Sequence, residues 1–222
     1  MHLSIGDAFK QGWEIFKSRP WFFIGAGVIL LIATIVVGLI TEAINYAILG
    51  EVSTDPEQQG TVVGNLVNFL LASLINMGAI AFYLKAYDNL AATSYGDLWH
   101  PQSYLKYLAV SVLFGLAVGI GTLLLIVPGI IALLFFFFSP FIVIDRDMGP
   151  IDAMKASVEI TKGNRWQLLG LVVVALLLNI VGILAFVVGL LVTIPITTLA
   201  IVHAYRLLGG AAARAPADAA YA

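Results

Sequence analysis

Two long stretches without a charged side chain constrain this chain more than any other feature. Residues 107–144 and residues 166–205 contain no Asp, Glu, Lys or Arg. One crossing of a bilayer takes about 20 apolar residues, or somewhat fewer where the bilayer is thin, so each stretch is long enough for two crossings. Pro128 interrupts the first stretch, and Gly189 and Pro195 interrupt the second. We therefore predict a pair of short transmembrane helices in each stretch.

Two further transmembrane helices are predicted upstream, over residues 21–48 and 62–86. Six helices agree with the composition, which is 61% hydrophobic and 11% charged, whereas soluble domains contain roughly 25% charged residues. The predicted fold class is all-α, a polytopic membrane bundle of six transmembrane helices. A net charge of −2 gives no basic face for nucleic acid. Without cysteine, the chain has neither a disulfide nor a thiolate nucleophile.

The lysines and arginines all fall on one side of the predicted bundle. They are Lys10, Lys17, Arg19, Lys85, Lys106, Arg146, Lys155, Lys162, Arg165, Arg206 and Arg214. The connections on the other side contain no base, and their acids are Glu42, Glu51, Asp55 and Glu57. Because cytoplasmic connections of membrane proteins carry the excess of Lys and Arg, we predict a multi-pass protein with both termini in the cytoplasm.

An internal repeat relates the charged segments to one another. Residues 151–166 align without a gap with residues 6–21, and seven of sixteen positions are identical in IDAMKASVEITKGNRW and GDAFKQGWEIFKSRPW. A weaker third copy is SYGDLW at 94–99, which resembles SIGDAF at 4–9. We predict three repeats, each an amphipathic surface helix followed by a transmembrane hairpin, in a single membrane domain. The domain covers 1–208, its repeat units cover about 4–87, 94–145 and 150–208, and residues 209–222 are predicted to form a disordered cytoplasmic tail.

The predicted surface helices carry charges of alternating sign on one side and apolar residues at helical spacing on the other. Their apolar faces point either to the acyl chains of the membrane or to the cytoplasmic ends of the bundle. Near the end of the last span, Arg206 is predicted to reach phosphate headgroups. The predicted surface for lipid or a protein partner consists of Phe9, Trp13, Phe16, Met154, Val158 and Arg206.

A candidate cavity or hinge is marked by Pro128, Pro195, Asn179 and Asp145. If each proline begins a helix, about six residues before it are unwound at membrane depth, where such backbone is buried in protein or lines a cavity. A tight turn or a kink is the alternative at both prolines. Asp145 either binds a cation or a substrate amine, or ends its span at the headgroups. Asn179 either pairs with a neighbouring helix or lines a substrate path.

The order of motifs in the second half of the chain resembles that of a large bacterial group. The motifs are PGI at 128–130, Pro140, Asp145, Pro150, Ala153, Ser157, TKGN at 161–164, Pro195 and Tyr205. The group comprises six-helix membrane proteins of unknown function, and it includes the membrane domain of some glycerophosphoryl diester phosphodiesterases. The resemblance covers residues 100–208 well and the N-terminal third loosely. It implies an all-helical bundle in the bacterial cytoplasmic (inner) membrane and no catalysis, since the phosphodiesterase site resides in a separate soluble domain.

The sequence predicts no catalytic, cofactor-binding or metal-binding residues, because it lacks a serine nucleophile motif with a partner histidine and a cluster of metal ligands. We therefore expect a non-enzymatic protein, either a scaffold or accessory component or one that interacts with lipids. Its expected partners are membrane lipids and, on the cytoplasmic face, a protein. The alternative is a small permease or exporter of a lipid or small solute, because Pro-interrupted segments in repeated hairpins are typical of transporter binding sites.

Overall fold

The computed structural model of the chain describes residues 3–50, 60–185 and 188–213. Within these ranges every regular element is a helix, which confirms the predicted all-α fold class. The α-helices are α1 Ile5–Ser18, α2 Pro20–Leu49, α3 Val62–Asp88, α4 Tyr104–Leu124, α5 Ile126–Phe136, α6 Ser139–Arg146, α7 Pro150–Thr161, α8 Arg165–Leu184 and α9 Leu190–Ala213. Two short 3₁₀ helices, Leu90–Ala92 and Tyr95–Leu98, lie between α3 and α4.

Six segments of the described chain are long and apolar enough to cross a membrane, which confirms a multi-pass bundle. They are α2, α3, α4, the α5–α6 pair, α8 and α9. The α5–α6 span is broken because Pro140 has no N–H to donate to the carbonyl of Phe136. The hydroxyl of Ser139 donates to that carbonyl instead, at 2.6 Å. The break therefore leaves no unpaired acceptor at this position.

The spans form three hairpins, α2–α3, α4–α5 and α8–α9, which turn at the same end of the bundle. We call the end at which Lys85, Arg146, Arg165 and Arg206 lie the basic end, and the end with the hairpin turns the opposite end. The predicted acids Glu51, Asp55 and Glu57 lie outside the described residues.

The α4–α5 turn is tighter than the sequence predicts. Helix α4 continues to Leu124, and Leu125 alone is extended, with φ −167° and ψ 153°. The prediction that about six residues before Pro128 are unwound is therefore wrong, and the tight-turn alternative is right. Pro128 lies in the first turn of α5, where a helix needs no N–H donor. The helices approach closely because a Cβ on Gly121 would lie 2.9 Å from the Cα of Gly129.

Pro195 lies inside a helix rather than at its start. Helix α9 begins at Leu190, so the residues immediately before Pro195 are helical and not unwound as predicted. The proline has no N–H to donate to the carbonyl of Leu191, and this interrupts the hydrogen-bond ladder of α9. The alternatives at this position were a tight turn and a kink within a helix. The structure excludes the tight turn, because Pro195 lies inside α9.

Helix α1 packs against the bundle rather than lying free on its surface. Its N-terminus is capped by Ser4, whose hydroxyl accepts the Asp7 N–H at 3.3 Å. Gly12 meets α9 so closely that a Cβ there would lie 2.7 Å from the carbonyl oxygen of Ile196. Phe16 is buried and packs against Phe23 of α2, with ring centroids 6.0 Å apart. The inner face of α1 therefore packs against the bundle, which is the second of the two orientations predicted for the apolar faces of the surface helices.

Helix α7 packs with small residues. Ala153 and Ser157 are fully buried and Ile160 nearly so, whereas the larger apolar residue Ile151 is 62% exposed. The hydroxyl of Ser157 donates to the Phe135 carbonyl at 2.8 Å and accepts the Phe138 N–H at 3.1 Å. Ser157 of α7 thus contacts Phe135 and Phe138 at the break between α5 and α6, and it supplies hydrogen bonds that the interrupted helix lacks.

The middle surface segment forms two 3₁₀ helices instead of the α-helix that the repeat predicts. Pro101 limits the length of this segment, and a helix cannot extend through the residue that precedes a proline without strain. Leu98 packs against α3 so closely that its carbonyl would clash with a Cβ on Gly78. The tail also differs from the prediction, because α9 continues to Ala213; residues 214–222 lie outside the described residues.

Candidate functional site

Arg206 joins the basic ends of three helices, one from each transmembrane hairpin unit. Its Nε and Nη2 donate to the two carboxylate oxygens of Asp88 on α3, at 3.0 and 2.5 Å. Its Nη1 donates to Oδ2 of Asp145 on α6 at 2.7 Å. The same Asp145 oxygen accepts the hydroxyl of Tyr205 at 2.7 Å. We call Asp88, Asp145, Tyr205 and Arg206 the arginine node.

The arginine node bears on two predictions from the sequence. The guanidinium of Arg206 is paired with two carboxylates inside the protein, so the prediction that it reaches phosphate headgroups is wrong. Asp145 lies one residue before the end of the α5–α6 span, as the span-end alternative predicts, and the cation bound to it is the protein's own Arg206. The side chains of Arg206 and Asp145 are only 27% and 17% exposed, and a charge with so little access to water is retained when its partner is close.

A cleft of about 380 Å³ opens beside the arginine node. Lys85, Asp97 and His100 line it together with Asp88, Asp145 and Arg206. The Lys85 ammonium donates to Asp97 at 2.6 Å, and the Ser94 N–H donates to the same carboxylate at 2.8 Å. These two donors lower the pKa of Asp97 below its ordinary value. Among the described residues, no group of three His, Asp or Glu side chains is arranged to hold a metal ion.

A second charged contact holds the start of α4 against the end of α6. Lys106 donates to the Asp147 carboxylate at 2.8 Å, and the hydroxyl of Ser103 donates to it at 2.6 Å. The hydrogen bond from Lys106, followed by that from Ser103, lowers the pKa of Asp147. Asp147 also has a left-handed backbone, with φ 49°, which Asp tolerates better than most residues. The ion pairs of Lys85 with Asp97 and of Lys106 with Asp147 thus tie connections to helices at the basic end.

An apolar cleft of about 350 Å³ lies between α2, α3 and α9. We call it the α2–α9 cleft, and its lining is Gly27, Leu30, Leu31, Thr34, Tyr83, Val188, Leu190, Leu191, Ile194 and Pro195. Pro195, predicted to mark a cavity, lies in its wall. Tyr83 is 2% exposed, and its hydroxyl has no hydrogen-bond partner among the described residues. The cleft therefore combines an apolar lining with one unsatisfied polar group.

Asn179 lies within the α8–α9 hairpin. Its Nδ2 donates to the Thr197 hydroxyl at 3.3 Å, and its buried Oδ1 has no partner among the residues that the structure describes. Asn68 likewise donates to the Thr41 hydroxyl of α2 at 3.2 Å. Both contacts agree with the interhelical alternative rather than with a substrate path.

The residues of the predicted lipid or partner surface differ in their exposure. Phe16 is only 4% exposed and belongs to the core, so its prediction as a surface residue is wrong. Trp13 is 45% exposed. Phe9, Met154 and Val158 are half-buried at the margin of the packed faces of α1 and α7. Trp13 is thus the residue of this set that is most available to lipid.

Sequence reasoning missed that three of the four tryptophans form a one-sided group. Trp13 on α1, Trp21 at the start of α2 and Trp166 at the start of α8 lie at the basic end, and they are between 45% and 82% exposed. The fourth, Trp99, lines a pocket beside Ala33 and Leu74 in the middle of α2 and α3. The signal in the sequence was the position of Trp21 and Trp166 next to basic residues at the start of a span. We call Trp13, Trp21 and Trp166 the tryptophan group.

Six apolar helices held together at one charged end define a polytopic helical membrane protein. The model of a domain of unknown function, DUF7847, matches residues 102–219, which is more than half of the sequence, and the chain belongs to this family. It is 28% identical over 228 residues to the uncharacterized protein Rv2560 of Mycobacterium tuberculosis, an alignment that covers 93% of this chain and 69% of the relative. The uncharacterized protein Mb2590 of Mycobacterium bovis gives the same identity and coverage.

No solved structure matches the chain. The comparisons confirm that the chain belongs to a bacterial family of unknown function. The finer resemblance to the membrane domain of glycerophosphoryl diester phosphodiesterases stays a prediction.

Proposed function

We propose that this protein is a non-enzymatic component of the bacterial cytoplasmic membrane that interacts with lipids and acts as an accessory or scaffold protein. In this proposal the basic end and both termini lie in the cytoplasm. The observation that carries it is the tryptophan group, Trp13, Trp21 and Trp166, which is exposed and lies at the basic end. Indole rings prefer the interface between headgroups and acyl chains. A one-sided group therefore favours interaction with the lipids of one leaflet.

Basic residues stand next to the tryptophan group, and this supports a preference for anionic lipids. Lys17 and Arg19 precede Trp21, and Lys162 and Arg165 precede Trp166. A base near an anionic membrane surface contributes about 1 kcal/mol to attraction, and salt screens the effect. Arg165 also stacks on the ring of Phe135, with its Cζ 3.8 Å from the ring centroid. Lys162, which is exposed close to Trp166, thus offers a cation for phosphate near an indole for the glycerol region.

Lipid retention tests this proposal. The protein is purified in mild detergent from membranes with a mixture of phosphatidylglycerol and phosphatidylethanolamine, and the lipids that remain bound are quantified. We expect enrichment of phosphatidylglycerol that falls with added salt. A double variant, Trp21→Ala with Trp166→Ala, should lose most of this enrichment. The matched control replaces large exposed residues away from the basic end, Leu39→Ala with Leu184→Ala, and should keep it. Bound lipid that reflects the bulk mixture in the wild type would refute the proposal.

The scaffold aspect of the proposal rests on the way the charges of the arginine node pair with one another. Arg206 satisfies both Asp88 and Asp145, and this arrangement suits a fixed tie between helices better than a group that must bind and release a substrate. A protein partner at the basic end remains the second occupant of the same surface. Crosslinking in intact cells from a photoreactive residue at position 13 would distinguish them: lipid adducts favour the proposal, and one dominant protein adduct favours the partner.

The alternative of a small permease has less support from the structure than from the sequence. The sequence favours it through unwound backbone before Pro128 and Pro195, but only Leu125 is extended before Pro128, and α9 is already helical from Leu190. Flux measured in proteoliposomes over a panel of small solutes and a fluorescent phospholipid provides the test. Flux that requires the protein and is lost in Pro195→Ala, with the fold intact, would favour the permease over the proposal above.

A further inference from the structure

The α2–α9 cleft has the shape and lining of a site for an apolar chain. Its volume of about 350 Å³ lies at the lower end of the roughly 300–1,000 Å³ that is usual for small-molecule sites. Its walls are aliphatic except for the hydroxyls of Thr34 and Tyr83. The Thr34 hydroxyl is satisfied, because it donates to the Leu30 carbonyl of its own helix at 2.9 Å. Tyr83 is therefore the polar group in this lining that lacks a partner.

The hydroxyl of Tyr83 needs a hydrogen-bond partner that the described protein does not supply. Buried polar groups in folded proteins are nearly always hydrogen-bonded, and each exception calls for an explanation. The ring is held in place by Phe23, whose plane is nearly parallel at 4° and whose centroid is 6.2 Å away. The Tyr83 ring is thus held in the wall of the cleft.

We infer that the α2–α9 cleft binds one acyl chain of a membrane glycerolipid, with the Tyr83 hydroxyl donating to the ester carbonyl of that chain. This inference rests on the proposed lipid-interacting role and assigns a particular site to it. The occupant is a lipid of the surrounding leaflet, because Leu31 and Ile194 at the edge of the cleft are 49% and 44% exposed and so open it to the acyl chains.

The position of Tyr83 along α3 agrees with the depth of an ester group. Tyr83 precedes Asp88 of the arginine node by five residues, which is about 7.5 Å of helix at 1.5 Å per residue. The polar interface of a bilayer extends over a similar depth, roughly 5–8 Å on each side of the hydrocarbon core. A carbonyl at the level of Tyr83 would leave its headgroup at the level of the charged residues. The acyl chain would then continue along Gly27 and Leu30 toward the opposite end.

Matched ester and ether lipids test the inference directly. Delipidated protein is titrated in native mass spectrometry with dipalmitoyl phosphatidylglycerol and with the dihexadecyl diether of the same headgroup, which lacks the ester carbonyls. We expect the wild type to bind the ester lipid about fivefold to tenfold more tightly, the factor expected for one hydrogen bond. Tyr83→Phe should bind both lipids with the affinity that the wild type has for the ether. Tyr46→Phe, which removes an exposed hydroxyl elsewhere on α2, should keep the wild-type preference.

A second variant keeps the test valid if the first alters packing. Gly27 faces Leu191 across the cleft, and a Cβ on Gly27 would lie 3.2 Å from the Cδ2 of Leu191. The Gly27→Leu variant should therefore fill the cleft and weaken the binding of both lipids. In the delipidated protein, Tyr83→Phe should unfold at the same or a higher temperature than the wild type, because it removes an unsatisfied buried hydroxyl. Equal affinity of the wild type for ester and ether lipid would overturn the inference, as would a Tyr83→Phe variant that retains the preference.

The outcomes separate this inference from the proposed function. Both lipids in the titration have the same headgroup, so a preference for anionic headgroups cancels from the ratio of the two affinities. If Trp21→Ala with Trp166→Ala loses headgroup enrichment while the ester preference persists, the tryptophan group and the cleft act independently. If enrichment persists and the ester preference is absent, the cleft inference fails alone.

Discussion

Arg206 is the residue on which the basic end of the bundle depends most. Its guanidinium is the shared partner of Asp88 and Asp145, and these carboxylates come from helices that are distant in sequence. Five N–H donors in a planar fork allow one arginine to bind two carboxylates, which a lysine cannot do with the same geometry. Loss of the guanidinium would leave two negative charges near each other, one of them in a poorly solvated position.

We predict that Arg206→Met destabilises the protein by about 2 kcal/mol, somewhat less than the 3–5 kcal/mol typical when one partner of a fully buried ion pair is removed. Unfolding in detergent with increasing sodium dodecyl sulfate, followed by circular dichroism, measures this difference. The control is Lys17→Met, because Lys17 pairs with Glu14 in an exposed position and such pairs contribute at most about 1 kcal/mol. An Arg206 variant no less stable than the Lys17 variant would show that the node is not a structural tie.

At the scale of the helix, α7 repairs the break between α5 and α6 through Ser157. We predict that Ser157→Ala costs roughly 1–3 kcal/mol, because it leaves the N–H of Phe138 and the carbonyl of Phe135 without this partner. Ser73→Ala is the matched control: Ser73 is also buried, but its hydroxyl donates only to the Phe69 carbonyl of its own helix. Thermal unfolding of the two variants in the same detergent compares them. Similar losses in both would contradict the special role of Ser157.

The pattern of α7 also shows what the sequence could and could not predict. The existence of the helix follows from Pro150 at its start and from its charges, and the structure has it at Pro150–Thr161. Its apolar face was predicted to include Met154 and Val158 and to contact lipid or the bundle, whereas Ala153 and Ser157 are the most buried residues of the helix. In a membrane the lipid is as apolar as the core, so large apolar residues do not identify the buried face, and small residues mark helix contacts. The arginine node was missed because its members are far apart in sequence.

The connection between α3 and α4 is predicted to loosen in acid. Lys85 and Ser94 lower the pKa of Asp97, so the folded state favours the carboxylate. The resulting stability is fully present at neutral pH, above the ordinary Asp pKa of 3.8, and is lost as the pH falls through the lowered pKa. Protection of residues 89–99 against hydrogen exchange, measured relative to the intrinsic exchange rate at each pH, should therefore fall below about pH 4 in the wild type.

The Asp97→Asn variant provides the comparison. Its exchange over residues 89–99 should already be faster than that of the wild type at pH 7, and the two proteins should converge as the pH falls. Asp152→Asn, a change at an exposed carboxylate on α7, should follow the wild type. A constant difference between the Asp97→Asn variant and the wild type from pH 7 to pH 3 would contradict the role of the Asp97 carboxylate.

At the scale of the whole molecule, the two ends of the bundle differ in both charge and aromatic content. The six crossings and their order follow from hydropathy, since the bilayer requires long apolar helices whatever their sequence. The clefts do not follow from hydropathy, because the α2–α9 cleft depends on how Gly27 of α2 meets Leu191 of α9. Orientation is a property of the whole chain, and the distribution of bases predicts it independently of any site.

We predict that the basic end lies in the cytoplasm, and the absence of cysteine makes a labelling experiment free of background. Two single-cysteine variants are compared, Gln58→Cys in the connection between α2 and α3 and Lys155→Cys on the exposed side of α7. A membrane-impermeant maleimide applied to intact cells with a permeabilised outer layer should label the first and not the second, since cytoplasmic connections carry the excess of bases. Lysis should then expose Lys155→Cys to the reagent. Labelling of Lys155→Cys alone in intact cells would invert the orientation and, with it, place the tryptophan group in the outer leaflet.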